Sequence, residues 1–236
     1  MWKNGRFLPV LAPGVCLLLG CIGGAHEANV RPGLNDRFKD PDLQVDEWVS
    51  RFEVESREIF RLRKEIAHAV GLRPRGAVAD IGAGTGLFIQ LFAEAVGPAG
   101  RVYAVDIAPR FLQHIKKQAE AAGLDQVVTV RCRDDSVDLP AESIDVAFIC
   151  DTYHHFEYPR TYMRTIRRAL RPGGQLILID FDREGDAADD WVRKHVRAGQ
   201  DQVTKEIQSD GFEFVSTEAV PGLKRNYFLR FQRPAG

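Results

Sequence analysis

The sequence predicts an α/β fold, a mostly parallel sheet with helices on both faces. The stretch Val78-Ala79-Asp80-Ile81-Gly82-Ala83-Gly84-Thr85-Gly86 is a short apolar run ending in an acid, followed by three alternating glycines. A helical pattern over Leu87–Ala95 comes next. A buried strand, a tight glycine turn and a helix open an α/β nucleotide-binding unit. Downstream, apolar runs of strand length alternate with helical patterns of about ten to fifteen residues, which implies parallel strands joined by right-handed crossovers.

The elements follow in order. Ala25–Val45 is polar, contains glycine and proline, and reads as a linker between a leader (1–24) and the domain (46–236). Asp46–Val70 carries helical periodicity through Trp48, Phe52, Ile59, Ile66 and Val70, and Gly71 with Pro74 stops it. After the glycine loop come a helix over Leu87–Val96, a strand over Arg101–Val105 with Asp106 at its end, and a helix over Pro109–Ala122. Strands over Val127–Arg131 and Ile144–Cys150 follow, then a helix over Thr161–Leu170, stopped by Arg171-Pro172-Gly173-Gly174. Gln175–Asp180 is a strand and Ala187–Asp210 a charged helical stretch. Phe212–Val220 and Tyr227–Gln232, joined by Pro221-Gly222, read as two final strands.

The spacing of the glycines selects the ligand. A dinucleotide fingerprint reads G-x-G-x-x-G, with pyrophosphate on the helix N-terminus. Leu87 stands where its third glycine belongs, and Asp80 at the strand mouth would repel a pyrophosphate and attract a cation. A positively charged, nucleoside-like ligand fits better.

Asp80-Ile81-Gly82-Ala83-Gly84-Thr85-Gly86 resembles motif I of the class I S-adenosylmethionine-dependent methyltransferases. That resemblance implies their Rossmann-like fold, a mostly parallel seven-stranded sheet with an antiparallel C-terminal edge hairpin, and S-adenosyl-L-methionine as cofactor. It places Asp80 near the cofactor's amino group, with Gly82, Ala83, Gly84 and Gly86 wrapping its methionine part. Tyr103-Ala104-Val105-Asp106 resembles the second motif, which puts Asp106, beside Ile107, on the ribose hydroxyls. An NAD enzyme would use the same acid. Asp134-Asp135-Ser136 with Leu139-Pro140 resembles the segment whose acid takes the adenine amino group. Asp135 is the better match by count back from Leu139, and Asp134 is the alternative because the family's glycine is missing. Leu170-Arg171-Pro172-Gly173-Gly174 completes the pattern.

Asp151-Thr152-Tyr153-His154-His155-Phe156 follows the fourth strand, which in related enzymes lies beside the transferred methyl. Asp151 lines the cofactor, and Asp151 or His154 could take a proton from the acceptor. Packing or backbone capping is the competing role for the histidines. Alignment of the reactants alone can also carry much of a methyl transfer. Candidates for the acceptor side are Arg57, Tyr153, Trp191, His195 and Arg197, with Arg51, Glu53, Asp182 and Asn226 in reserve. Trp191 and His195 share one helical face.

A formal net charge of −1 gives no basic field for nucleic acid. Lys3, Arg6, the apolar run Phe7–Leu19 and Leu18-Leu19-Gly20-Cys21 resemble a secretory signal ending in a lipobox. The expectation is export, with membrane association only through a lipid on Cys21; a cytoplasmic protein is the alternative. Cys132 and Cys150 fall in or beside apolar runs and read as buried hydrophobes. No C-x-x-C or His/Cys cluster is present in the sequence, so no metal is expected. The leading reading is a methyltransferase acting on a small-molecule or lipid-like acceptor. The alternatives are a non-catalytic S-adenosylmethionine-binding sensor or scaffold and an NAD-type oxidoreductase.

Overall fold

The computed structural model describes residues 27–235 together with Met1, and the rest of the expected leader lies outside the described residues. Seven strands, β1 (Ala77–Ile81), β2 (Arg101–Asp106), β3 (Val127–Arg131), β4 (Ile144–Cys150), β5 (Leu170–Phe181), β6 (Glu213–Thr217) and β7 (Asn226–Gln232), form one sheet. Its order is β3-β2-β1-β4-β5-β7-β6. β1 to β5 run parallel, and β7 is antiparallel to both β5 and β6. The order reverses between β1 and β4, which opens a crevice beyond the carboxyl ends of the strands.

Alternation along the buried strands makes two cores. On one face, Val78, Val146, Phe148, Ile177 and Ile179 meet α4 (Arg63–Val70) and α5 (Ile89–Val96). On the other, Ala79, Ile81, Ala147, Ile149 and Leu178 meet α7 (Pro159–Ala169) and α9 (Gln200–Ser209). α6 (Pro109–Ala121) and α7 each begin with proline at a first-turn position, where the missing N–H costs nothing. Among the described residues no helix is long and apolar enough to cross a membrane.

The structure departs from the sequence reading in four places. The expected helix over 46–70 is three pieces, α2 (Val45–Phe52), α3 (Glu58–Arg61) and α4. It breaks where Arg57 turns to an ion pair with Asp151 and where the Glu58 carboxylate accepts the backbone N–H groups of Lys224 and Arg225. The stretch 187–210 splits into α8 (Asp190–His195) and α9, with Val196 and Ala198 buried between them. β5 starts at Leu170, because that residue pairs with Ile144 across a register shift.

The fourth departure is the linker, which is docked on the domain from Glu27 onward. The Glu27 carboxylate accepts the N–H groups of Arg160 and Thr161, and the Asn29 amide donates to Glu157. Leu43 is buried with Ala108 and Phe111, and a short helix, α1 (Asp36–Lys39), forms within the segment.

Phe148 is fully buried at the centre of one core, its ring 4.8 Å from Phe88 and 5.0 Å from Phe92. Phe148→Ala should lower unfolding free energy by about 3–5 kcal/mol, read from the urea midpoint.

Candidate functional site

The glycine loop after β1 is pinned to the next strand, because the N–H groups of Gly82 and Ala83 both donate to the Val105 carbonyl. Gly82 has φ +77°, and a Cβ there would stand 2.3 Å from Thr152 Cγ2. Only glycine lets β1 and β4 bring their ends this close. Gly86 has φ +91° and abuts Ile115 in the same way, which seats α6 against the loop.

Three acids sit at the mouths of neighbouring strands. Asp80 is 3% exposed, and its carboxyl is raised to about 8, first by burial and then by the charge of Asp106. Asp106 is raised to about 6 by burial, an effect that the N–H groups of Ala108, Gly84 and Ile107 oppose. Gly84 N–H lies 2.8 Å from its Oδ2 and Ala108 N–H 2.8 Å from its Oδ1. Those bonds fix the carboxylate and leave further lone pairs unused. Asp151 has a left-handed backbone at φ +48°. Its Oδ2 accepts from Arg57 Nη2 at 2.5 Å and its Oδ1 from Asn226 Nδ2 at 2.5 Å. Burial raises it to about 6 even with the Arg57 guanidinium pulling the other way.

All three acids line one cavity of about 610 Å³, well within the range of small-ligand sites. Gly82, Ala83, Gly84 and Ile107 line it too, as do Asp134 and, towards the far end, His154, Trp191 and His195. The N-terminal segment forms a wall: Phe38, Trp48 and Phe52 pack in series as tilted rings, with centroids 5.0 and 5.2 Å apart. Arg37 lies over Phe38 and Trp48, and Arg57 over Phe52.

Several site residues stand elsewhere than the sequence suggested. Asp134, not Asp135, faces the cavity: the backbone pairing of Arg133 with Ser136 makes a tight turn that leaves Asp135 exposed. Tyr153 and Arg197 do not line the cavity. The Tyr153 hydroxyl donates to Glu206 Oε2 at 2.9 Å, and Arg197 holds the same carboxylate through two bonds of 2.8 and 2.6 Å. Both belong to a network that ties the turn after β4 to α9. Arg57 reaches the cavity as the partner of Asp151. His154 is buried, and its Nδ1 lies 2.7 Å from Asp180 Oδ1, so only Nε2 is left for other work.

Asn35 and Phe38 line the cavity from the expected linker. Apolar Phe38 among charges was the one signal there. Asn35 had none, because its partners His155 and Glu157 lie some 120 positions away.

A family profile described as a methyltransferase domain matches residues 79–178. The lovastatin diketide synthase lovF of Aspergillus terreus is 29% identical over 170 residues, covering 66% of this chain and 7% of the synthase. The ubiquinone/menaquinone biosynthesis C-methyltransferase UbiE of Hahella chejuensis is 31% identical over 114 residues, covering 48% of this chain and 46% of that protein. The chain thus spans less than half the length of these curated relatives. A SAM-dependent methyltransferase from Aquifex aeolicus shares the fold with TM-score 0.70 at 19% identity, covering 80% of this chain and 98% of that chain.

The acids make stability pH-dependent. Asp80 is raised, so the folded chain holds a proton that the unfolded chain has released, and stability falls as pH rises from about 4 to about 8. Asp106 and Asp151 act in the same sense up to about 6. His155, lowered to about 2, and His195, lowered to about 4, act oppositely below their ordinary value of 6.5. Between pH 6.5 and 8 Asp80 therefore acts with little opposition. The ligand-free protein should lose about 1–2 kcal/mol over that interval. Asp80→Asn should flatten the profile, and melting curves at pH 6.5, 7.2 and 8 would show it.

Proposed function

We propose that this chain is a class I S-adenosylmethionine-dependent methyltransferase that transfers a methyl group to a small-molecule acceptor in the cavity at the strand ends, a reading that the matching methyltransferase-domain profile supports. The observation that carries the proposal is the set of Asp80, Asp106 and Asp151 around one cavity, with no pyrophosphate-binding fingerprint beside them.

The residues present fit the cofactor. Asp80 is a buried carboxyl raised only by burial and by the charge of Asp106, which suits an incoming ammonium. Asp106 is fixed by backbone donors and retains lone pairs for two hydroxyls. Asp134, ion-paired with Lys39 at 2.6 Å, lines the cavity, and Phe52 and Phe111 supply apolar walls. When bound, S-adenosylmethionine supplies an electrophilic methyl group on a sulfonium. The chain's task is then to desolvate, align and, for a protic acceptor, remove a proton. Arg57 and Asn226 hold Asp151 from both sides, and its value near 6 leaves it ionised at neutral pH. It is the best-placed base. His154, committed to Asp180, orients the turn.

The acceptor end is bounded by Phe181, Trp191 and His195, with Trp191 and His195 stacked at 4.5 Å. Flat aromatic walls of this kind support a small organic acceptor. The two relatives named for small-molecule biosynthesis, the diketide synthase and the quinone methyltransferase, support the same class.

Location follows as part of the same reading. We infer export and lipidation at Cys21 from the leader pattern, with a correction to the tether. The chain is held from Glu27, so the domain would sit close to the membrane rather than on a long linker. Mass spectrometry of the native N-terminus tests this, and an unprocessed Met1 overturns it.

Two outcomes test the activity. Calorimetry should show binding of S-adenosylmethionine, with affinity rising between pH 6.5 and 8 as Asp80 gives up its proton to bind a cation, and no binding of NAD. Asp106→Ala should weaken it at least tenfold, since bonds to a charged acceptor are worth about 1.5–3 kcal/mol each. Once an extract screen with methyl-labelled cofactor has supplied the acceptor, Asp151→Asn should cut turnover about 10²–10⁴-fold while cofactor affinity stays close to native. Full activity in that variant would leave alignment alone as the mechanism.

A further inference from the structure

We propose that His154, His155 and His195 form a binding site for one divalent transition-metal ion in the wall of the cavity. The sequence hid this cluster, because His195 lies on α8, forty positions beyond the adjacent pair. The fold brings the three rings together, with centroids 4.4 Å apart for His154 and His155, 5.1 Å for His154 and His195, and 5.3 Å for His155 and His195. One ring nitrogen of each lies within 4.8 Å of one from each other histidine. Bonds of about 2.0–2.1 Å from zinc to imidazole space the nitrogens at roughly 3–3.4 Å. A closure on the order of 1 Å therefore completes the set.

The surroundings set the tautomers for this use. His154 Nδ1 faces Asp180 Oδ1 at 2.7 Å, and the His154 backbone N–H donates to Asp180 Oδ2 at 3.0 Å. A carboxylate there requires Nδ1 to carry the proton, which frees the Nε2 lone pair. Asn35 Nδ2 donates to the His155 carbonyl at 2.9 Å, so its Oδ1 is the atom left facing His155 Nδ1 at 3.2 Å. That oxygen can only accept, so His155 also carries its proton on Nδ1 and offers Nε2. A carboxylate or carbonyl behind each ligand imidazole is the usual outer support of a histidine metal site. His195 is placed by its stack on Trp191 and by the Arg31 guanidinium on its backbone carbonyl.

Metal ligands must be unprotonated. Arg37 and Arg31 lie close enough to His155 and His195 to act on their charge. The same arginines repel a cation, while the carboxylate of Asp180 attracts it. Three neutral nitrogens favour zinc, cobalt or nickel over magnesium or calcium, which prefer oxygen. All three histidines line the cavity, so the remaining coordination positions open into it. An acceptor oxygen could occupy one of them. That use rests on the methyl-transfer reading, whereas metal binding does not.

The full chain, stripped with chelator and dialysed, is titrated with Zn²⁺ against a chromophoric competitor and with Co²⁺ by visible absorption. The expected result is one ion per chain with micromolar or tighter affinity, and X-ray absorption showing imidazole nitrogens around it. His195→Ala and His155→Ala, each checked for native circular dichroism, should each lower affinity at least tenfold. Asn35→Ala, which removes only an outer support of one ligand, should lower it by a smaller factor than either histidine variant. No binding to the wild type up to 100-fold excess of metal overturns the proposal. So does undiminished affinity in the His155→Ala, His195→Ala double variant, which would place the metal elsewhere. Cofactor calorimetry on the stripped protein reads the methyltransferase assignment separately.

Discussion

Two carboxyl groups buried side by side, Asp80 and Asp106, are the constraint that the site depends on. Neither can ionise in a dry strand mouth without cost, and the charge of Asp106 raises that cost for Asp80. The protein relieves one of them internally: Asp106 receives backbone donors from the glycine loop and from the start of α6. On Asp80 only burial and the charge of Asp106 act. The pair is therefore asymmetric before any ligand arrives, one acid prepared to accept hydroxyl donors and the other awaiting a cation. A ligand that carries an ammonium and a ribose would answer both at once. The glycine loop is what permits this spacing, since a side chain at Gly82 would collide with Thr152.

The parallel part of the fold was legible because strand periodicity, glycine turns and prolines at helix starts are local signals. β1, β2 and β4 with their terminal acids came straight from such patterns. What could not be read was non-local. Asn35 looks like a linker residue until His155 and Glu157 are folded against it. Tyr153 and Arg197 looked like site residues by position, yet Glu206, on the following helix, takes both of them out of the cavity. The choice between Asp134 and Asp135 turned on a single backbone pairing, which no count of residues reveals. The histidine cluster was invisible for the same reason, with two members adjacent and the third on another element.

The docked N-terminal segment changes the character of the site. Without α1 and α2 the crevice at the switch point of the sheet would be a cleft open along one side. Phe38, Trp48 and Phe52 close that side with aromatic surface, while Arg37, Arg51 and Arg57 lie across their faces. Removing water strengthens every charge interaction inside, and here it also raises the acids. The wall and the shifted carboxyls thus border the same cavity.

Asp151 shows how the pieces are tied together. A non-glycine residue in the left-handed region costs on the order of 1–3 kcal/mol, and it persists only where its surroundings over-determine it. Its side chain is gripped by Arg57 from the break before α3 and by Asn226 from the first residue of β7. Its backbone N–H is held by the Ile179 carbonyl of β5. Three separate stretches of chain thus converge on this one residue after β4, two of them on its carboxylate. A purely structural ion pair would not need a strained backbone to place it. The strain makes sense if the position of the carboxylate, rather than the stability it contributes, is what these contacts maintain.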